Sequence, residues 1–161
     1  MAKNRLDMMP CGGGSPLAHA LTQSVRTGLN AMSAGDVGRC VIILISDGRA
    51  NVPLDVSLGT VKEEDILKGE DGKPRKLTDV EKKEQRVQLK EEVMTIAKQI
   101  REMQTFKLLV IDTENKFVST GMAKEIADAA GGRYHFIPKA SADAMKRVTV
   151  DAVASLKKEQ R

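Results

Sequence analysis

The chain of 161 residues has the length of one ordinary domain, and 41% hydrophobic residues are enough for a core. Three phenylalanines and one tyrosine are too few for an aromatic platform that stacks single-stranded nucleic acid, and the 26 basic and 22 acidic residues alternate without a single-sign block. We therefore expect no nucleic-acid partner, and no apolar run approaches the ~18 residues of a transmembrane helix, so we also expect no membrane span.

The N-terminal residues predict a glycine-rich approach loop, residues 1–14, that leads into a helix. Glycines accept positive φ angles and let backbone N–H groups approach an anion or a metal-bound ligand. Three of them end the loop: Gly12, Gly13 and Gly14. Ser15 and Pro16 have the residue types of an N-cap and a first helical position, and predict a helix to about residue 32. Its predicted buried face consists of Leu17, Leu21, Val25, Leu29 and Met32.

The run 41–45 (Val-Ile-Ile-Leu-Ile) is apolar without alternation and is followed by Ser-Asp-Gly. Such a run is typical of a strand buried on both faces of a parallel sheet, and we interpret it as the central strand. Ligands of open parallel sheets bind outside the carboxyl ends of the strands. Asp47 falls at that point and is the first candidate functional residue.

The rest of the chain predicts a long polar insertion at 49–78, followed by alternating helices and strands. The capping-box spacing from Thr78 to Glu81 starts a helix that ends near Met103. The elements that follow are a strand at 106–112, a helix at 120–130, a strand at 134–137, a helix from 141 and a tail at 157–161. Strands separated by crossover helices indicate an α/β, doubly wound parallel sheet.

Three strands make a thin sheet for a central strand at 41–45, which needs neighbours on both sides. We therefore expect a single partial domain over 1–161 that lacks strands on its N-terminal side. An open strand edge recruits partners. The free edge of 41–45 is accordingly expected to be covered by self-association, by another chain or by a rearranged segment.

Two blocks carry a resemblance to a known family: Gly-Gly-Gly-Ser-Pro-Leu-Ala-His-Ala-Leu at 12–21 and Ile-Leu-Ile-Ser-Asp-Gly-Arg-Ala-Asn at 43–51. They resemble parts of a von Willebrand factor A (integrin I-like) domain. With Val-Ile-Asp-Thr-Glu at 110–114, they are most similar to the domain at the C-terminus of magnesium-chelatase D subunits. The resemblance extends over 10–55 and 106–137, and implies the Rossmann-like doubly wound fold of that family.

The resemblance also implies a partial metal-ion-dependent adhesion site. The family builds this site from an Asp-x-Ser-x-Ser loop, a threonine at a helix start and an aspartate after a central strand. Ser15 takes the threonine position and Asp47 the aspartate position, so their oxygens would bind Mg²⁺ or Mn²⁺ directly or through water. The glycines of the approach loop, together with Gly48, would support the site. For Asp47 the alternative is a turn aspartate that caps backbone N–H groups.

Two more residues are candidates for the same rim, by which we mean the edge of the sheet where the carboxyl ends of the strands lie. Arg49 is suited to receive an acidic partner, and Asp112, at another strand end, either faces the partner or caps a loop. The Asp-x-Ser-x-Ser loop itself is absent, and the nearest segment, 55–59, lacks the last serine and follows no strand. Because Ser15 and Asp47 alone would hold a cation weakly, the metal is expected in the intact domain and not in this chain by itself.

By resemblance, the function is that of a non-catalytic interaction domain. It would couple an AAA+ ATPase subunit to the porphyrin-binding subunit during ATP-dependent Mg²⁺ insertion into protoporphyrin IX, in a bacterial cytoplasm or a plastid stroma. The chain has no Walker-type Gly-x-x-x-x-Gly-Lys-Ser/Thr sequence, so catalysis by this chain itself is not expected.

Two alternatives remain from the sequence. One is the same domain in a cobalt chelatase or another metal-dependent adhesion protein. The other belongs to a different class: a small phosphate-binding enzyme whose glycine loop cradles an anion at a helix N-terminus.

Overall fold

A computed structural model describes Met8 and residues 12–35, 37–68, 72–114, 120–137 and 142–158. Its elements are α1 (Leu17–Ser33), β1 (Cys40–Ser46), α2 (Leu54–Ser57), α3 (Glu63–Ile66), α4 (Asp79–Glu102), β2 (Phe106–Asp112), α5 (Met122–Ala129), β3 (Arg133–Phe136) and α6 (Ala142–Lys158). No helix in these ranges is long and apolar enough to cross a membrane. The predicted α/β class with a parallel sheet is confirmed.

The sheet has three parallel strands in the order β1-β2-β3. β1 and β2 pair over seven residues, from Cys40 opposite Phe106 to Ser46 opposite Asp112. β3 pairs with the second half of β2 and ends at Phe136, also opposite Asp112. All three carboxyl ends therefore lie along one edge of the sheet.

Helices cover both faces of β2. On one face, Phe106, Leu108 and Val110 belong to the main core. That core also takes buried residues from α1, α4 and α5, among them Leu21, Val93, Ile96, Ile100 and Ile126. On the other face, Leu109 and Ile111 pack with Ile137 and with Ala144 and Val148 of α6. β2 is accordingly the most buried strand of the sheet.

The interpretation of 41–45 as a central strand buried on both faces is wrong for this chain. Ile42 is buried, but Val41, Ile43 and Ile45 are 38%, 37% and 53% exposed. β1 lies at the edge of the sheet, and no described strand pairs with its outer side. Val41, Ile43 and Ile45 thus leave apolar surface of β1 exposed to solvent.

The start of α1 also differs from the prediction. Its N-cap is Pro16, and no side chain caps the helix, so Ser15 is not the N-cap. Ser15 lies one residue earlier, and its carbonyl accepts the Leu17 N–H at 2.9 Å. The serine hydroxyl is thus left for another role.

The predicted buried face of α1 is confirmed at Leu17 and Leu21, and Val25 and Met32 pack partly buried against the core, but Leu29 differs. Leu29 is 45% exposed, while Gly28 is buried. A Cβ at Gly28 would stand 2.6 Å from the Phe106 ring and 2.9 Å from the Cys40 sulfur. The absence of a side chain at Gly28 allows α1 to approach the sheet closely.

The α4 prediction is confirmed. Thr78 and Glu81 form the capping box, with each side chain bonded to the backbone of the other residue. The predicted apolar face is buried along the helix at Leu89, Val93, Ile96, Ala97 and Ile100. Burial, rather than surface charge, therefore sets the orientation of this charged helix.

The insertion at 49–78 contains α2 and α3, of one turn each, and an isolated bridge between Lys68 and Pro74. The Leu54 N–H donates to Glu92 Oε2 at 2.9 Å, which fastens the insertion to α4. The segment 55–59 begins inside α2 and follows no strand, in agreement with its rejection as an adhesion motif.

We predict that Gly132→Ala destabilises the fold, because a Cβ there would stand 2.3 Å from the Leu108 carbonyl oxygen. Overpacking of this kind costs about 1–3 kcal/mol. Urea unfolding measures the change. The matched control is Gly38→Ala, where a Cβ would meet nothing within 4 Å and should leave the unfolding midpoint within error. Equal midpoints for both variants would show that the space between Gly132 and the Leu108 carbonyl can accept a methyl group.

Candidate functional site

The site lies where β1 and β2 end side by side. Ser46 pairs with Asp112, and the Thr113 N–H donates to the Ser46 carbonyl at 3.1 Å, which extends the pairing by one residue. The segments after both strands therefore leave the sheet together. Asp47 and Glu114 belong to these two segments.

Asp47 combines a turn role with an open carboxylate. Its Oδ1 accepts the Arg49 N–H at 3.1 Å, while the Ser46 hydroxyl oxygen accepts the Gly48 N–H at 3.0 Å. The Asp47 side chain is nevertheless 49% exposed. The turn interpretation of this residue is thus compatible with a carboxylate that is open to solvent.

Gly48 is required by the packing of α5. Its φ is +75°, and a Cβ would stand 3.0 Å from the Ala123 backbone nitrogen. Only glycine meets both conditions without strain. The start of α5 therefore lies directly against the turn that presents Asp47.

The glycine loop and the Asp47 turn are joined through Asn51. The Asn51 side-chain oxygen accepts the Ser15 N–H, and the Ser15 carbonyl accepts the Asn51 N–H at 3.3 Å. A Cβ at Gly14 would stand 2.3 Å from Val52, so this glycine permits the close approach. Gly12 and Gly13 both have positive φ angles and open space around them. The structure thus brings the two predicted loops together, and Ser15 stays exposed.

Arg49 lies between two carboxylates. Its Nε is 3.8 Å from Asp47 Oδ2 and 3.9 Å from Glu114 Oε1. Glu114 is only 2% exposed, and its two carboxylate oxygens accept the Thr120 N–H at 2.8 and 2.9 Å. Glu114 therefore links the exposed arginine to the backbone that precedes α5.

Glu114 was not selected from the sequence as a site residue. It is the last residue of the Val-Ile-Asp-Thr-Glu block on which the family resemblance rests. The block was therefore the one sequence feature that pointed to Glu114. A glutamate in a polar segment after a strand is usually solvated, and no neighbouring residue indicates that this one is buried.

Asp112 supports the rim from below. It is 1% exposed, its Oδ1 accepts the Glu114 N–H at 2.8 Å, and its Oδ2 accepts the Tyr134 hydroxyl at 2.6 Å. Asp112 therefore caps the loop that follows β2, which is one of the two roles expected for it. Its burial does not fit the other role, a direct contact with a partner. Burial, followed by the hydrogen bond to the Asp112 carboxylate, raises the pKa of Tyr134 to about 12.

The residues present fit part of a cation site. Hydroxyl and carboxylate oxygens, which Ser15 and Asp47 supply, are the ligands that Mg²⁺ and Ca²⁺ prefer. No group of three or more His, Cys, Asp or Glu residues suited to a metal occurs in the part of the chain that the structure describes. The adjacent Arg49 also places a positive charge beside Asp47. Further oxygen ligands are therefore needed for tight binding.

The anion-binding alternative has few donors at the start of α1. Pro16 has no N–H, and the Leu17 N–H is bonded to the Ser15 carbonyl. A helix N-terminus binds phosphate through its first free N–H groups. His19, in the first turn of α1, is half-buried, and its Nε2 lies 3.0 Å from Gln23 Nε2, which is a local hydrogen bond within the helix.

The chain is similar to three named proteins over different lengths. It is 39% identical to the magnesium-chelatase 67 kDa subunit of Heliobacterium mobile over 158 residues, 98% of this chain and 20% of that subunit. The subunit of the same name from Chlorobaculum tepidum is 32% identical over 88% of this chain and 20% of its own length. The magnesium-chelatase 60 kDa subunit of Cereibacter sphaeroides is 43% identical over 41% of this chain and 12% of its own.

The chain is thus homologous to a segment of magnesium-chelatase 67 kDa subunits, and spans about a fifth of the length of these curated relatives. No family model matches the chain, and no solved structure matches it.

We predict that Glu114→Ala costs about 1–3 kcal/mol of unfolding free energy, because the Thr120 N–H loses its buried acceptor. The control is Glu125→Ala, which removes a half-exposed ion pair to Lys90 and should cost less than about 1 kcal/mol. Urea unfolding of both variants gives the comparison. Equal costs would mean that the Glu114 carboxylate is solvated.

The titration of Tyr134 tests its hydrogen bond to Asp112 directly, because it is the single tyrosine of a chain without tryptophan. Phenolate absorbance should rise with a midpoint at about pH 12 in the native protein and at about pH 10 in urea. Since the folded pKa is the higher one, the stability linked to the protonated form of Tyr134 is complete below about pH 10 and is lost as the pH rises toward 12. Asp112→Asn should lower the native midpoint, and a midpoint of about pH 10 in the unaltered native protein would contradict the pairing.

Proposed function

We propose that the chain is a non-catalytic protein-interaction domain of a magnesium-chelatase subunit of the 67 kDa type, and that it acts in chlorophyll biosynthesis. The homology over 98% of the chain supports the assignment to the subunit. The observation that supports the docking role is the open rim: an exposed Asp47 carboxylate presented by a turn that the sheet, α5 and Asn51 all hold.

A docking site gains specificity when its polar groups are held in place before the partner arrives. Gly48 fits against α5, and Glu114 lies 3.9 Å from the Arg49 guanidinium and bonds to the Thr120 N–H. The side chains of Asp47 and Arg49 therefore project from a supported base. A carboxylate and a guanidinium at one rim provide opposite charges for a polar partner surface.

We further propose that the domain is of the von Willebrand factor A type and uses a divalent cation, Mg²⁺ or Mn²⁺, in the intact subunit. Ser15 and Asp47 would contribute oxygens, and the remaining ligands would come from residues of the subunit outside this chain. A bound cation supplies an open coordination position to a carboxylate of the partner. Ser15 is suited to this role because its hydroxyl does not cap α1.

The partners proposed for the subunit are the AAA+ ATPase and the porphyrin-binding subunits of the chelatase, in a bacterial cytoplasm or a plastid stroma. Through this domain, the subunit would transmit ATP-driven changes to the porphyrin-binding subunit during Mg²⁺ insertion. The alternative among interaction domains is a cobalt-chelatase subunit that contains the same type of domain. Assays with magnesium-chelatase and cobalt-chelatase partner subunits distinguish the two.

We predict that the intact subunit binds its partner subunits in Mg²⁺ and that Asp47→Ala or EDTA weakens this binding at least about tenfold. The reason is that both changes remove the cation bridge. Surface plasmon resonance with immobilised porphyrin-binding and ATPase subunits gives the affinities. The control, Asp128→Ala, removes an exposed carboxylate near the far end of α5 and should bind like the unaltered subunit.

Unchanged binding in EDTA together with unchanged binding of Asp47→Ala would exclude the metal bridge. If Asp47→Ala alone weakens binding, the carboxylate contacts the partner directly and the docking role stands without metal. If inorganic phosphate raises the melting temperature in EDTA, the anion-binding alternative is favoured.

A further inference from the structure

A groove runs between the insertion and the first half of α4. It is separate from the Asp47 rim, which consists of Ser15, Asp47, Arg49 and Glu114. The volume of the groove is about 830 Å³. Apolar residues from both sides line it: Pro53, Ile66, Leu77, Val80 and Val87. Exposed apolar surface that is rimmed by polar residues is a common binding site for peptides and helices.

Two valines on α4 leave apolar surface open at this groove. Val80 is 66% exposed and Val87 is 51% exposed. With Glu84 and Glu91 they occupy positions i, i+4, i+7 and i+11, which lie on one face of a helix over about 16 Å. This face is opposite to the one that packs on the core, so it is available to a second helix.

The groove is acidic although the chain as a whole carries a net charge of +4. Asp55, Glu84 and Glu91 line it without an ion pair among the described residues, and Lys83 is the one cation of its lining. Glu81, also in the lining, is already balanced, because Arg75 donates to its carboxylate at 2.7 Å. A partner that matches this surface is therefore basic.

The two walls are joined before any partner arrives. The Leu54 N–H donates to Glu92 at 2.9 Å, and the Thr78–Glu81 capping box fixes the start of α4. A preformed groove avoids the cost of ordering its walls on binding.

We infer that this groove binds an amphipathic helix with Lys or Arg residues from a partner protein. The apolar side of that helix would lie on Val80 and Val87, and its basic residues would face Asp55, Glu84 and Glu91. The surface shares none of these residues with the Asp47 rim, and its binding needs no divalent cation. Its test is therefore independent of the proposed metal site.

The probe is a fluorescein-labelled amidated peptide of Leu and Lys in an amphipathic helical pattern, titrated with the full 161-residue chain in EDTA. Fluorescence anisotropy should show saturable binding, and the same pattern with Glu in place of Lys should not bind. The double variant Val80→Ser/Val87→Ser should weaken binding about tenfold. Glu84→Gln/Glu91→Gln should weaken it severalfold and reduce its salt dependence.

The matched controls are Val150→Ser on α6, 56% exposed, and Glu102→Gln at the other end of α4, and both should bind like the unaltered chain. The inference is overturned if either control weakens binding as much as the groove variants, or if the groove variants bind unchanged. It is also overturned if light scattering shows self-association that Val80→Ser/Val87→Ser abolishes, because the occupant is then a second copy.

Discussion

The parallel pairing of β1 with β2 is the constraint on which the rest of the structure depends. Seven residues pair in one register, and both strands end together at Ser46 and Asp112. A slip of one residue would turn Leu108 and Val110 out of the main core, because side chains alternate between the faces of a strand. The same register brings the turn of Asp47 beside the segment of Glu114. Packing and the site are thus set by one set of backbone hydrogen bonds.

Features that depend on local patterns could be predicted from the sequence. The bounds of β2 and the capping box at Thr78 follow from residues adjacent to them, and the structure agrees with both. The burial of 41–45 could not be predicted, because it depends on what covers the strand. The same holds for Gly28, whose burial in place of Leu29 depends on the Phe106 ring, 78 residues away in the chain.

The buried acids show why a rim is harder to predict than a core. Glu114 depends on Thr120 and Arg49, and Asp112 depends on Tyr134. Arg49 and Tyr134 are brought close by the sheet, whereas Thr120 lies six residues further along the chain. The described part of the chain leaves no buried side-chain oxygen or nitrogen without a hydrogen bond, so both acids are compensated. The position of Asp47 directly after β1 could be predicted, because a strand end is a local feature.

The Asp47 rim and the acidic groove lie on the same side of the molecule. α4 ends just before β2 begins, so its first turns, which line the groove, are directed toward the carboxyl edge of the sheet. Asn51 connects the two: it bonds to Ser15, and with Pro53 and Leu77 it lines a cavity of about 130 Å³ beside the groove. Asn51 therefore has two structural roles: its side chain holds the Ser15 loop, and it forms part of the wall of the cavity beside the groove.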